Sequence, residues 1–310
     1  MNPINDFIEE LEDLGRSKNT LRLNLQVLNK FQKSCNGKDV LLVNDDDVRK
    51  FIHDMRNQNL KDQTISDNIQ AVERFYTFLI EIQKYGLNVN PAKRLSNKLL
   101  KKKVQTKRPL KSLDEISTFI RNIHNVRDRA IIVLLAKTAI RNGELVALDV
   151  DDIDIQKEVI SINKHIIDLN SNSSGKGRKN GNETMIPLDD ETIRTLKFYL
   201  MARPKTKDRG LFISSAGNRL NLSDIARIVK NWAVKLNFGI DSTDTDKKIV
   251  PHFFRAWATY TLQMSGLNPS IVDYIRGDVA STIRGFYFNQ VLPFDVIRKE
   301  YLKAVPKFGI

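Results

Sequence analysis

Hydrophobic side chains recur at intervals of three and four along the first 90 residues, the spacing that places them on one face of an α-helix. The pattern predicts helices over residues 20–31, 48–55 and 64–82. Ser17 is suited to cap the start of the first of these helices. A segment rich in Gly, Asn and Pro, residues 86–91, follows the third helix. We therefore predict a helical bundle over residues 1–92.

The composition changes after this bundle. Nine Lys and Arg residues lie between positions 93 and 111, and no acidic residue accompanies them. Repulsion among these charges disfavours a compact structure, so we predict a basic linker over residues 93–111. Such a linker is suited to run along a phosphate backbone, and a solvated tether between two folded units is the alternative. The residues expected to contact DNA are Lys98, Lys101, Lys102, Lys103, Lys107 and Arg108.

A mixed pattern of helical and strand periods extends over residues 112–310. Ser112 and Glu115 have the spacing of a capping box, and residues 127–140 are apolar enough to form a buried helix. Alternation with a period of two over residues 146–165 and 184–187 predicts a small antiparallel β-sheet. A long hairpin tip, residues 170–182, joins its strands. Helical periods then predict helices over residues 191–200, 222–236, 253–264, 268–274 and 294–305. The fold class is therefore mainly α with a small antiparallel β-sheet.

The composition favours a two-domain globular protein with a polyanionic partner. A length of 310 residues suits two domains, and 41% hydrophobic with 28% charged residues excludes global disorder. Lys and Arg number 50 while Asp and Glu number 37, which leaves a net charge of +13. This excess favours nucleic acid as the partner, and a generally basic protein is the alternative.

The sequence gives no signal for a membrane, for secretion or for a metal. The longest apolar run, residues 130–136, is much shorter than the roughly 18 residues that a membrane span needs. The start lacks the basic and apolar regions of a secretory signal. A single cysteine, Cys35, excludes an internal disulfide and a multi-cysteine metal site. We expect a cytoplasmic protein that uses no metal or cofactor.

Three short segments together carry a candidate catalytic set: an arginine, a His-x-x-Arg pair and a tyrosine. These residues are Arg141, His252, Arg255 and Tyr287, and a lysine of the hairpin tip, Lys179, lies between the first two segments. Singly, each has a structural alternative. Arg141 can pair with Glu144, His252 can be a buried histidine, Tyr287 can be an aromatic core residue, and Lys179 can be a solvated turn residue.

In this ordered set the sequence resembles the tyrosine recombinase, or phage-type integrase, family. The resemblance covers nearly the whole chain. Residues 1–92 and 93–111 resemble the DNA-binding core-binding domain and its connector, and residues 112–310 resemble the catalytic domain. The ending at residues 300–306 is similar to that of archaeal and archaeal-virus members.

The resemblance implies a role for each residue in breaking a phosphodiester without a metal ion. Arg141 and Arg255 would hold the non-bridging oxygens, because guanidinium groups stay charged and bind in a bidentate way. Tyr287 would be the nucleophile, and His252 an acid–base or phosphate-contacting group. A hairpin lysine would protonate the 5′-oxygen. Lys179 lies eight residues before Pro187, as the family lysine does before its strand, and Lys176 is the alternative.

The sequence departs from the family pattern at two positions. The family has His, or sometimes Trp, after the glycine of the third motif, whereas here Asp278 follows Gly277. An ionised Asp cannot donate a hydrogen bond to phosphate and would repel it. Asp278 is therefore expected to be protonated, turned away or replaced by another donor such as Arg276 or Arg284. The usual Thr-Gly-x-Arg turn here has alanine in place of glycine, at residues 138–141.

The resemblance predicts a site-specific DNA recombinase that cleaves and rejoins strands through a 3′-phosphotyrosyl intermediate. It implies double-stranded DNA as partner and a homo-tetramer on that DNA, with no membrane. Two alternatives stay open: a DNA-binding accessory protein with a weakened or silent site, and a type IB enzyme that relaxes supercoiled DNA. Residues 294–302 offer an apolar face, which can dock on a neighbouring protomer or pack on its own domain.

Overall fold

The structure, a computed structural model, describes residues 2–99, 110–166, 174–176, 183–239, 249–278 and 292–310. Its contacts divide the chain into two compact units, Met1–Thr106 and Lys107–Ile310. Each unit contains its own hydrophobic core, as expected for a domain.

The first unit is a bundle of helices. They are α1 (Pro3–Asp13), α2 (Lys18–Ser34), α3 (Asp45–Asn57), α4 (Asp62–Glu81) and α5 (Lys93–Leu99). The three helices expected from the hydrophobic period are confirmed as α2, α3 and α4. Ser17 caps α2, and a capping box of Asn44 and Asp47 begins α3. The pattern did not predict α1, which packs Ile4 and Phe7 into the core.

Helix α5 corrects the start of the predicted linker. Its residue Leu95 is buried in the core of the first unit, and Arg94 pairs with Asp45 of α3 at 2.6 Å. The positive charges do not prevent a helix here, because the side chains of Lys93, Arg94 and Lys98 lie on its exposed side. Residues 100–109 of the predicted linker lie outside the described residues.

The second unit combines helices with two small sheets. Its helices are α6 (Leu113–Arg121), α7 (Val126–Thr138), α8 (Asn142–Ala147), α9 (Asp190–Ala202), α10 (Leu222–Lys235), α11 (Pro251–Met264), α12 (Pro269–Arg276) and α13 (Phe294–Ala304). Its strands are β1 (Ile153–Asp154), β2 (Val159–Ile162), β3 (Lys164–Ile166), β4 (Ser174–Lys176) and β5 (Thr184–Pro187). The mainly α class with a small antiparallel sheet is confirmed.

The three-stranded sheet has the order β1-β2-β5 and is antiparallel throughout. Ile160 lies opposite Ile153 on one side and Ile186 on the other, and both Ile160 and Ile186 are buried. A second pair, β3 and β4, places the backbone of Lys164 opposite that of Lys176. Of the expected hairpin tip, residues 170–182, the structure describes only 174–176.

The strand expected from residue 146 begins only at Ile153. Helix α8 (Asn142–Ala147) occupies the first residues of this segment, and its start is stabilised by the carboxylate of Glu144, which accepts the backbone N–H of Arg141. A 3₁₀ turn then spans Val150–Asp152. Alternation of apolar residues continues through both segments, so the strand period alone placed the sheet too early.

Helix α7 is the centre of the second core. Every residue from 130 to 138 is at most 1% exposed, which confirms the buried helix expected there. The segment after α12 packs on the same unit: Ile297, Tyr301 and Phe308 are buried in this core. The Tyr301 hydroxyl donates to the carbonyl of Lys137 at 3.0 Å. Much of this apolar face therefore packs on its own domain, while Val296 stays 41% exposed; docking on a neighbouring protomer stays a prediction.

Candidate active site

The turn after α7 delivers the first arginine. Ala139 follows the helix in the left-handed region, with φ at +51°, and Arg141 then serves as the N-cap of α8. Glycine adopts this conformation without strain, whereas alanine does so at a cost of about 1 kcal/mol. The alanine is therefore compatible with this turn at a modest cost in stability.

Arg141 is held by its Nη1 atom. Nη1 donates to Glu144 Oε1 at 3.0 Å and to the carbonyls of Arg276 and Gly277 at 3.3 Å each. Glu144 is 1% exposed. The Nη2 atom donates instead to the carboxylate of Asp278. The expected pairing with Glu144 is present, and it positions a guanidinium that is still 29% exposed.

Arg255 is the buried partner of this arginine. It lies in α11, is 4% exposed, and donates from Nη1 to the carbonyls of Ala139 and Arg276. Its Nη2 atom donates to Asp278 Oδ1 at 3.0 Å. Burial, and then the neighbouring charge of Arg141, lower the pKa of Arg255 to about 10. Arg255 therefore stays protonated at neutral pH.

The end of α12 supplies the remaining groups. Gly277 caps the helix with φ at +62°, and Asp278 follows it directly. Asp278 Oδ1 accepts from Arg141 and Arg255, and Oδ2 lies 2.9 Å from Arg276 Nη2. Without DNA, Asp278 therefore faces the arginines; whether it turns away from a bound phosphate stays a prediction. Among the described residues, three guanidinium groups make direct ionic contacts with two carboxylates, those of Glu144 and Asp278, which gives these five groups a formal charge of +1. The carboxylate of Asp273 lies near Arg276 and Asp278 as well, and burial raises its pKa.

The structure brings together only part of the predicted set. His252 lies in the first turn of α11 and is exposed, so the alternative of a buried histidine is wrong. Lys98 is exposed on α5 in the other unit, and Lys176 lies in β4. The other predicted residues lie outside the described part of the chain; they are Lys101, Lys102, Lys103, Lys107, Arg108, Lys179, Arg284 and Tyr287.

Sequence reasoning missed the backbone carbonyls that orient the arginines. Ala139, Arg276 and Gly277 accept through their main-chain oxygens, and no side-chain pattern indicates this. The available signal was Gly277, because a glycine after a helix marks an end whose last carbonyls need donors.

Within the described residues, no group of three or more His, Cys, Asp or Glu side chains could hold a metal ion. Within the same ranges, none of the helices is both long enough and apolar enough to cross a membrane.

Comparison with known proteins agrees with this architecture. The profile of the Phage integrase family matches residues 110–287, and that of the phage integrase N-terminal SAM-like domain matches residues 4–83. Together with these matches, the helical first unit and the paired arginines of the second place the chain in the class of tyrosine recombinases. The chain belongs to the Phage integrase family.

Similar curated proteins come from bacteria and archaea. Tyrosine recombinase XerC of Chromobacterium violaceum is 28% identical over 273 residues, covering 85% of this chain and 82% of the relative. Tyrosine recombinase XerA of Pyrococcus furiosus, an archaeon, is 26% identical over 295 residues, covering 92% and 88%. The archaeal or viral origin of this chain stays a prediction.

Solved structures share the fold. An integrase of the Tn1549 transposon in complex with transposon right-end DNA superposes with a TM-score of 0.72 at 19% identity, covering 97% of this chain and 98% of that one. A lambda integrase dimer bound to a core site gives 0.69 at 11% identity, covering 91% and 95%. At these identities the likeness establishes the fold alone.

Proposed function

We propose that this tyrosine recombinase cleaves and rejoins DNA strands at specific sites through a 3′-phosphotyrosyl intermediate formed on Tyr287. The observation that carries the proposal is the convergence of Arg141 and Arg255 on one anionic oxygen, Asp278 Oδ1. Two guanidinium groups that share one oxygen are suited to bind the non-bridging oxygens of a phosphodiester.

The proposed reaction needs no external energy source. The phenolic oxygen of Tyr287 attacks phosphorus, a new P–O bond to tyrosine forms, and the bond to the 5′-oxygen breaks. His252 accepts the phenolic proton, and Lys179 or Lys176 donates a proton to the 5′-oxygen. Religation is the reverse reaction with a 5′-hydroxyl as the nucleophile, so the bond energy is retained throughout.

Double-stranded DNA is the proposed partner. The net charge of +13 supports a polyanionic ligand, and the transposon and lambda integrases with this fold were solved on DNA. We assign DNA binding to the bundle over residues 1–92 and to the basic linker that follows it, with 112–310 as the catalytic domain. A homo-tetramer on DNA and a cytoplasmic location complete the proposal.

Covalent trapping tests this function. The protein is incubated in EDTA with nicked duplexes from the DNA that flanks its own gene, and adducts are separated on a denaturing gel. An adduct that Tyr287→Phe abolishes is expected. An adduct that persists in Tyr287→Phe would show that Tyr287 is not the nucleophile. The absence of any adduct in the wild type would contradict the proposed reaction.

A second function, that of a DNA-binding accessory protein with a silent site, is favoured by the carboxylate of Asp278 among the arginines. This function predicts tight binding to the same DNA with a steep salt dependence and without an adduct. The trapping experiment separates the two, because binding and adduct formation are measured on the same duplex.

A further inference from the structure

The two arginines divide their nitrogens between two tasks. In Arg141 and in Arg255, Nη1 donates to fixed acceptors: main-chain carbonyls and, for Arg141, the buried carboxylate of Glu144. In both residues, Nη2 donates to the same oxygen of Asp278. Loss of the Asp278 contact would therefore leave both guanidinium groups in place, with one nitrogen of each facing an open position.

Asp278 occupies this position without being sealed into it. Its side chain is 25% exposed, and that of Arg141 is 29% exposed, so solvent and an anion can reach the pair. Its other oxygen lies 2.9 Å from Arg276 Nη2, which gives the carboxylate a partner other than Arg141 and Arg255. Asp278 follows Gly277, the C-cap of α12, and its backbone N–H donates to the carbonyl of Asp273 at 3.0 Å, so a change of partner would involve its side chain alone.

We propose that Asp278 is an internal competitor of the scissile phosphate: its carboxylate fills the Arg141–Arg255 clamp in the DNA-free protein and moves onto Arg276 when the phosphodiester enters. Arg276 is thus a positioning residue, which acts by holding the displaced carboxylate. The proposal rests on the proposed function, because the displaced group makes room for a DNA phosphate. It explains how an acidic residue can lie among phosphate-binding arginines.

The charges give the direction of the effect. The groups in direct ionic contact, three arginines with Glu144 and Asp278, have a formal charge of +1, which the charge of a bound phosphodiester balances; Asp273 adds a further carboxylate near Arg276 and Asp278. Removal of the Asp278 charge raises the formal charge to +2 and frees both Nη2 atoms, so anion binding strengthens. Removal of Arg276 leaves Asp278 with only the clamp as its partner, so anion binding weakens.

Binding of inorganic phosphate to the full chain, measured by calorimetry without DNA, tests the proposal. Asp278→Asn and Asp278→Ser are each expected to bind phosphate about tenfold more tightly than the wild type, and Arg276→Gln more weakly. Asp151→Asn is the matched control: it removes the same charge at an exposed pair with Arg209, and its phosphate binding is expected to equal that of the wild type.

The opposite signs at positions 278 and 276 separate competition from a purely structural role. If all three site variants bind phosphate more weakly, Asp278 only organises the arginines and the proposal is wrong. If both Asp278 variants fail to fold, as judged by thermal unfolding, its role is structural and the proposal is equally wrong. Unchanged phosphate binding in the folded Asp278 variants also contradicts it.

The measurement separates this proposal from the proposed function. Tighter phosphate binding in the Asp278 variants, without a wild-type DNA adduct, would support the competitor and contradict the recombinase reaction. A Tyr287-dependent adduct, with unchanged phosphate binding in the Asp278 variants, would support the recombinase reaction and contradict the competitor.

Discussion

Two charged clusters lie at the end of α7, and they differ in solvent exposure and in the ratio of positive to negative groups. Lys137, which is 0% exposed, contacts Asp189 at 2.7 Å and Glu191 at 2.6 Å. Lys307 joins Asp189, so two lysines meet two carboxylates. The arginine cluster begins four residues later, is more than a quarter exposed at Arg141, and has one positive charge in excess. A balanced and sealed cluster stabilises a fold, whereas an open one with excess charge is suited to bind an anion.

The largest expected effect comes from breaking the sealed cluster. Lys137→Met leaves Asp189 and Glu191 buried without their main partner, and this is expected to lower the free energy of unfolding by about 3–5 kcal/mol. Urea unfolding measures it. Lys307→Met is the control, because its side chain is 56% exposed and its loss should cost less than about 1 kcal/mol. Equal losses in the two variants would contradict the larger contribution that we assign to the buried lysine of this cluster.

The open cluster is expected to respond in activity and not in stability. Arg141→Lys keeps the charge but cannot both donate to Glu144 and present a second nitrogen. We expect adduct formation to slow by about 100-fold or more, while the free energy of unfolding changes by less than about 1 kcal/mol. Single-turnover trapping and urea unfolding on the same preparation measure both. An unchanged trapping rate would contradict the assignment of Arg141.

The pH dependence of stability is a further test of the buried Lys137 cluster. Burial alone would raise the pKa of Asp189 and of Glu191, but Lys137 holds both below their usual values. A lowered carboxyl pKa contributes stability that is present above the unfolded value, about 4, and is lost as pH falls through the folded value. Urea unfolding between pH 7 and pH 2 should therefore show stability falling below about pH 4. In Lys137→Met this fall should be much smaller.

The basic linker offers a third case for comparison, because its sequence contains positive residues and no acidic ones. Replacing Lys101, Lys102 and Lys103 with Ala is expected to weaken DNA binding and to flatten its log–log salt dependence by up to about one unit per lost phosphate contact. Filter binding over a range of salt concentrations measures the slope. A matched triple substitution of the exposed residues Lys197, Lys205 and Lys207 controls for net charge. An unaltered slope in the linker variant would make the segment a tether.

The smallest expected effect is at the turn that separates the two clusters. Ala139 has φ at +51°, so Ala139→Gly relieves the left-handed strain and is expected to raise the free energy of unfolding by about 0.5–1 kcal/mol. Its carbonyl, which accepts from Arg255, is unchanged. Urea unfolding checks the value, and a loss of stability would mean that the Cβ of Ala139 contributes packing that outweighs the strain.

The sequence predicted the fold where one period dominated. Helices α2 to α4 and α7 follow from the spacing of Leu, Ile and Phe, because burial of one face, or of all faces for α7, determines those residues. Helix α5 was not predicted, since a count of charges along the chain ignores that Arg94 and Lys98 share the exposed side while Leu95 is buried.

The site was predicted to a smaller extent. The choice of Arg141 and Arg255 followed from a resemblance in the order of motifs, and their convergence agrees with it. The position of Asp278 stayed open between three alternatives, because its ionic partners come from α8, α11 and α12, whose approach is a property of the packed core. Main-chain acceptors leave no trace in side-chain identity and were not predicted.

Main-chain anchoring of the arginines has a consequence for sequence drift. The carbonyls of Ala139, Arg276 and Gly277 persist through any substitution that preserves the backbone path. Neighbouring positions can therefore diverge while the two guanidinium groups keep their orientation. The mutational tolerance of the turn and of the α12 end should accordingly follow backbone conformation, with positions 139 and 277 the most restricted because their φ is positive.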